Sequence, residues 1–102
     1  MSETLYSLYI LRCADDTLYT GIATDIERRL GEHRDGKRGA RYLRGRAPFE
    51  IVFHLNAGDR GSAQRLEYHV KRLSKAQKEA LVRGITPMAE LLPQLDASSG
   101  GS

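Results

Sequence analysis

The sequence predicts a single small α+β domain, a three-stranded antiparallel sheet flanked by helices in the order β-β-α-β-α-α. Three observations predict it. Two short apolar runs near the N-terminus are joined by turn residues, which is hairpin chemistry. A later run, Phe49 to Asn56, alternates apolar and polar as a strand does. Helix-start signatures follow both the hairpin and the third strand. The chain has 102 residues, 40% hydrophobic and 28% charged, which suits one globular core and excludes a disordered chain or two domains.

The first strand is expected over Leu5 to Cys13 (LYSLYILRC). It is apolar at both alternating sets of positions, as a central strand covered on two faces should be. Ala14 to Thr17 supplies the turn, and Leu18 to Ile22 the returning strand. Thr24 with Glu27 forms a capping-box pattern, so a helix should run from about Asp25 to Arg34. Ile26, Leu30 and His33 share one face of it, and Arg29 borders that face one turn before His33.

Asp35 to Pro48 is a long connection with three glycines. Phe49 to Asn56 is the third strand, with Phe49, Ile51, Phe53 and Leu55 expected on one face and Glu50, Val52, His54 and Asn56 on the other. After a Gly58–Gly61 turn, Ser62 is the expected cap of a helix reaching Leu73, with an apolar stripe of Ala63, Leu66, Val70 and Leu73 that Glu67 borders. Ser74 with Gln77 is a second capping box, opening a helix that ends near Arg83 with Gly84 behind it. Thr86-Pro87 opens a last helical turn through Leu92, and Pro93 stops it. The domain should therefore span residues 5–92, with a disordered tail over 93–102.

The formal net charge is +3 and the pI about 9.2. The distribution matters more than the sum. From Arg34 to Arg46 there are six basic residues and one acid, Asp35. Such a run suits a polyanion partner, with Arg38, Arg41, Arg44 and Arg46 as candidate phosphate contacts. Its alternatives are a solvated loop, or an arginine that caps a carbonyl or pairs with a carboxylate inside the fold. The one cysteine, Cys13, excludes an intrachain disulfide and a cysteine-based zinc site, and a buried inert thiol is expected. The N-terminus lacks a signal-peptide pattern and no stretch approaches a membrane span, so a cytoplasmic setting is expected.

The chemistry concentrates between Ser7 and His33: two tyrosines, Tyr9 and Tyr19, on the hairpin, and Arg29 and His33 on the helix after it. Phosphodiester hydrolysis needs an activated water, stabilisation of charge on the phosphoryl oxygens and help for the leaving oxygen. Arg29 offers a planar, permanently charged fork for phosphate oxygens. Glu67 can hold one Mg²⁺ with waters completing the shell, the usual sparse ligation of that ion. Singly, each residue has a structural alternative. Tyr9 can be a core tyrosine, Arg29 a surface cation, His33 a cation at a helix C-terminus, and Glu67 a partner of Lys71. His54 and His69 are read as structural.

In order and spacing these residues resemble the GIY-YIG nuclease family. Ser7-Leu8-Tyr9 matches the end of its first motif, Tyr19-Thr20-Gly21 its second, and Arg29, His33 and Glu67 its helical residues. The chain is most similar to the short, single-domain bacterial members, the YhbQ-like group, which share the YTG form and the segment Gly36 to Pro48. The resemblance covers roughly residues 5 to 83. It implies a metal-dependent endonuclease acting on DNA in repair or processing, with Mg²⁺ or Mn²⁺ held at Glu67. It also implies Tyr9 as general base and Tyr19 as an orienting or relaying phenol. A phenol with a pKa of about 10 needs a nearby cation to serve as a base. Gly21 is read as letting the backbone turn closely at the strand end beside the site.

Departures from the family pattern are SLY for GIY, YTG for YIG, and no counterpart of a late Asn, since Asn56 lies on the third strand. No added DNA-binding domain is present, which leaves room for a protein partner to supply specificity, and no small-molecule cofactor is called for. The competing readings are a non-catalytic nucleic-acid-binding domain that retains the fold, and a protein-interaction module. The intact set with its carboxylate favours the nuclease, because a binder has no need of Glu67.

Overall fold

β1 (Tyr6–Arg12) is the middle strand of a sheet ordered β2-β1-β3, with β2 at Leu18–Ala23 and β3 at Glu50–Gly58. Both pairings are antiparallel. The computed structural model describes residues 4–35 and 39–91. Between the strands and after them lie α1 (Ile26–Asp35), a 3₁₀ turn (Arg41–Leu43), α2 (Arg60–Lys71), α3 (Lys75–Val82) and the short α4 (Met88–Leu91). This is the predicted element order. The expected tail over 93–102 lies outside the described residues, as do Arg38 and Leu92.

The apolar run of β1 is buried on both faces, as its lack of alternation predicts. Leu8 and Ile10 join Val70 of α2 and Leu81 of α3 in one core. Tyr9, Leu11 and Cys13 join Leu30 of α1, Leu43 and Phe49 in the other. Each fully buried aliphatic side chain contributes about 1.5–3 kcal/mol. The long connection is thus not merely an exposed loop, because its 3₁₀ turn inserts Leu43, 1% exposed, into the second core.

β3 departs from the expected alternation. Ile10 pairs with Phe53 while Leu11 pairs with Ile51, so Val52 is an extra residue in the ladder. The bulge reverses which residues face which core. Phe49 and Ile51 pack beside Tyr9, whereas Phe53 and Leu55 pack beside Leu8 and Ile10. Strand periodicity alone puts all four on one face.

Two helix starts are corrected as well. In α1 the cap is Asp25, whose Oδ1 accepts from the Arg28 N–H at 3.1 Å, rather than Thr24. In α2 the cap is Asp59, whose Oδ1 accepts from the Ser62 N–H at 2.8 Å, so the helix begins at Arg60 instead of after Ser62. A carboxylate is a favoured cap and also opposes the positive end of the helix dipole. The Ser74–Gln77 capping box and the positive φ of Gly84 are as expected. Sequence patterns gave no hint of the Arg12–Glu79 pair, two parallel bonds of 2.9 and 2.8 Å that fasten α3 to the end of β1.

Candidate active site

Tyr9 and Tyr19 lie on the same face because their partners across the β1–β2 ladder are Gly21 and Leu11. The Tyr9 ring crosses directly over Gly21. A Cβ at position 21 would stand 2.6 Å from the Tyr9 hydroxyl and 2.7 Å from its ring carbon. Gly21 therefore gives room for a phenol rather than for a turn, since its backbone is in ordinary strand conformation. The two tyrosine rings are 6.4 Å apart between centroids.

α1 brings His33 to the same phenol. The His33 Nε2 and the Tyr9 hydroxyl are 2.9 Å apart, and the backbone N–H of Ala40 donates to His33 Nδ1 at 3.1 Å. A backbone N–H can only donate, so Nδ1 must carry a lone pair and the neutral ring must hold its proton on Nε2. Nε2–H then donates to the Tyr9 oxygen. His33 is 4% exposed, and burial, reinforced by the Arg29 charge, lowers its proton affinity and keeps it neutral. Gly39 makes this possible by passing close to the His33 backbone, where a Cβ would lie 2.6 Å from the His33 Cα.

Arg29 also hydrogen-bonds the Tyr9 oxygen and is held by Glu32 at 2.8 Å. Tyr9 is 1% exposed. Burial raises its pKa above the usual phenol value, the neighbouring Tyr19 adds to this, and Arg29 opposes it. Tyr19 is raised too, first by burial, with Lys71 and Arg29 opposing. Two donors thus converge on the Tyr9 oxygen, a setting that suits a phenolate, in surroundings that keep the resting group protonated.

Glu67 comes from the opposite layer. α2 packs against the Leu8–Ile10 face, yet the Glu67 charge acts on both Tyr9 and Tyr19. The Glu67 carboxylate pairs with Lys71 at 3.3 Å, and the Lys71 ammonium lies 5.9 Å from the centre of the Tyr19 ring. Tyr9, Arg29 and His33 are thus in direct contact beside Tyr19, and Glu67 reaches the tyrosine side of the group through Lys71. Among the described residues no three His, Cys, Asp or Glu side chains cluster as a metal cage. A lone part-exposed carboxylate suits a hard divalent ion that keeps most of its waters, and the Lys71 ammonium now beside it would have to give way to that ion.

The basic connection divides. Arg41 and Arg44 are exposed. Arg46 is engaged within the fold: its Nε donates to the Tyr42 carbonyl at 2.7 Å, it pairs with Asp15, and its guanidinium lies 4.3 Å from the Tyr42 ring centre. Tyr42 in turn stacks on Tyr19 at 6.0 Å. Sequence reasoning missed Tyr42, Gly39 and the Ala40 N–H. The interleaving of Tyr42 among arginines was the only available sign. His54 is exposed opposite Tyr9 on β3, and His69 lies edge-on to Tyr68.

A hairpin and a helix that bring two phenols, a guanidinium and an imidazole together, with one carboxylate from a second helix, define a GIY-YIG-type domain. The chain belongs to the GIY-YIG nuclease family, since its residues 5–80 match the GIY-YIG catalytic domain. It is similar to the UPF0213 proteins of Yersinia pestis (strain Pestoides F) and Yersinia pseudotuberculosis serotype O:3 (strain YPIII). Each is 57% identical over 82 residues, covering 80% of this chain and 85% of the relative. Two solution NMR structures share the fold. The UPF0213 protein of Bacillus halodurans is 42% identical with a TM-score of 0.51, over 85% of this chain and 92% of that one. A protein of E. faecalis is 32% identical with a TM-score of 0.57, over 83% and 91% respectively.

Proposed function

We propose that the chain is a divalent-metal-dependent endonuclease that hydrolyses DNA phosphodiester bonds, working in DNA repair or processing in the cytoplasm. The observation that carries the reading is the convergence of the His33 Nε2–H and the Arg29 guanidinium on the Tyr9 oxygen. A purely structural tyrosine has no use for two donors, one of them charged.

Tyr9 acts as a phenolate: its own proton first passes to solvent by way of Tyr19, His33 and Arg29 hold the charged oxygen, and that oxygen then takes a proton from the attacking water. His33 is a donor in this scheme and not a base, because its free lone pair is occupied by Ala40. Arg29 also neutralises charge growing on the phosphoryl oxygens, a contribution of about 10²–10³ in rate for one donor in comparable sites. Tyr19 orients the water or relays its proton beside Tyr9. Glu67 would hold Mg²⁺ or Mn²⁺, which when bound supplies Lewis-acid polarisation of the phosphate and help for the leaving oxygen. Arg41 and Arg44, with Arg38, contact phosphates and add affinity without base specificity. Sequence or structure preference then falls to a protein partner.

The test is cleavage of linear, nicked, single-stranded and branched DNAs with Mg²⁺ and with chelator, using Arg29→Ala as the control. Metal-dependent cutting that Arg29→Ala abolishes is expected. Tight binding without cutting by the wild type would favour the non-catalytic nucleic-acid-binding domain.

A further inference from the structure

β2 is an edge strand, and a groove runs along it away from the candidate active site. Leu18, Tyr19, Thr20, Tyr42, Lys71 and Lys78 line its first part, a volume of about 330 Å³. Lys75 and Thr17 extend it toward the β1–β2 turn through a second part of about 170 Å³ that shares Leu18, Tyr42 and Lys78. Among the described residues no carboxylate lines either part. The cations at the two ends are accounted for: Lys71 pairs with Glu67, and Lys75 donates to the Asp16 carbonyl at 2.9 Å.

Lys78, between them, is different. It is part-buried against Leu18 and Tyr42 and makes no ion pair or hydrogen bond with any described residue. Burial, and then the charge of Lys71, press against its ammonium form. A cation placed in a concavity beside a like charge, with no acid opposite, is unfavourable until an anion arrives. Thr20 belongs to the same lining, and its buried hydroxyl has no hydrogen-bond partner among the described residues.

We propose that this groove is a phosphate track for one strand of the nucleic acid, with Lys78 binding a phosphodiester next to the one at the active site. Tyr19 and Lys71 belong to both places, so a strand whose scissile phosphate meets Arg29 continues into the groove around the β2 edge of the sheet. The inference rests on the nuclease reading for its substrate, but binding can be measured apart from cutting.

The experiment is equilibrium binding of a fluorescent single-stranded and a duplex oligonucleotide, in chelator, across a salt series, for wild type, Lys78→Ala and Lys78→Glu. Removing one phosphate-binding cation lowers the log–log salt slope by about 0.7 for single strands and about 0.9 for duplex. Carried over one decade of salt, that is about five- to eightfold weaker binding at about 0.1 M salt for Lys78→Ala. Lys78→Glu should be weaker still, with the thermal melts of both variants close to wild type. Unchanged affinity and slope in both folded variants would overturn the track and leave the nuclease reading intact. Weakened binding in a protein that never cuts DNA would support the track and sink the nuclease reading. Failure of the wild type to bind either oligonucleotide, or binding of a protein partner that Lys78→Glu abolishes in its place, overturns the track as well.

Discussion

The Tyr9 phenol lies where a side chain at position 21 would have to be, with only 2.6 Å between its oxygen and the missing Cβ. Tyr9 is fully buried and cannot swing away, so the glycine fixes where the phenol ends. Gly21→Ala should displace the Tyr9 oxygen from its two donors. We expect cleavage to fall by about 10²-fold, the scale of a misplacement of about an ångström. Overpacking should also cost about 1–3 kcal/mol of stability. Single-turnover cleavage and a thermal melt on the same preparation test both; a Gly21→Ala variant with full activity and a native melt would show that the phenol position is not critical.

His33 makes stability depend on pH. Its folded pKa is below the free value of 6.5, because burial and then Arg29 disfavour the imidazolium. The stability this contributes is complete above about pH 6.5 and is lost as pH falls through the folded value. His33→Gln removes the dependence. The difference in Tm between wild type and His33→Gln should shrink as pH is lowered from about 7 to 5. A gap that widens on acidification would contradict the neutral, Nε2-protonated ring.

Glu67 and Arg29 should be required for cutting and dispensable for folding. The Glu67–Lys71 pair involves a half-exposed lysine, so its loss should cost no more than about 1 kcal/mol. Glu67→Ala and Arg29→Ala should each reduce cleavage by at least about 10²–10³. Chelation should abolish wild-type activity, and Mg²⁺ should restore it. Full turnover by folded Glu67→Ala would remove that carboxylate from the metal site.

Arg46 and its exposed neighbours should separate in their effects. Arg46→Ala breaks contacts with Asp15, the Tyr42 carbonyl and the Tyr42 ring, and should lower stability by about 1 kcal/mol. A double change at Arg41 and Arg44 should leave the melt alone and lower the duplex salt slope by about two steps of 0.9. The reverse pattern would place the phosphate contact at Arg46.

Local periodicity was enough for the element order, because each strand and helix here has its own apolar rhythm and its own cap chemistry. It failed wherever the outcome depends on a partner element. The β3 bulge at Val52 is set by how β3 meets β1, and nothing within FEIVFHLN announces it. Asp59 and Ser62 are both cap-type residues three apart; the sequence pattern points to Ser62 as the cap and assigns Asp59 to a turn, whereas Asp59 is the cap and Ser62 its donor. The nearness of Arg29 and His33 followed from helix spacing. The position of Glu67 relative to them was not legible in the local pattern, since α2 packs on the other face of the sheet. The Ala40 N–H fixes the His33 tautomer, and a backbone donor leaves no mark in a sequence.

Tyr9 belongs to the core as much as to the site, and this governs how the family's activity can be lost over generations. A descendant that stops cutting DNA still needs a large aromatic group packed with Leu11, Leu30 and Phe49, so selection for folding retains the first tyrosine after selection for catalysis has ended. Arg29 and Glu67 fill no core position and have no such shelter. If the proposed roles hold, the first tyrosine in a set of related chains records ancestry, whereas an arginine at position 29 together with a glutamate at position 67 records present use.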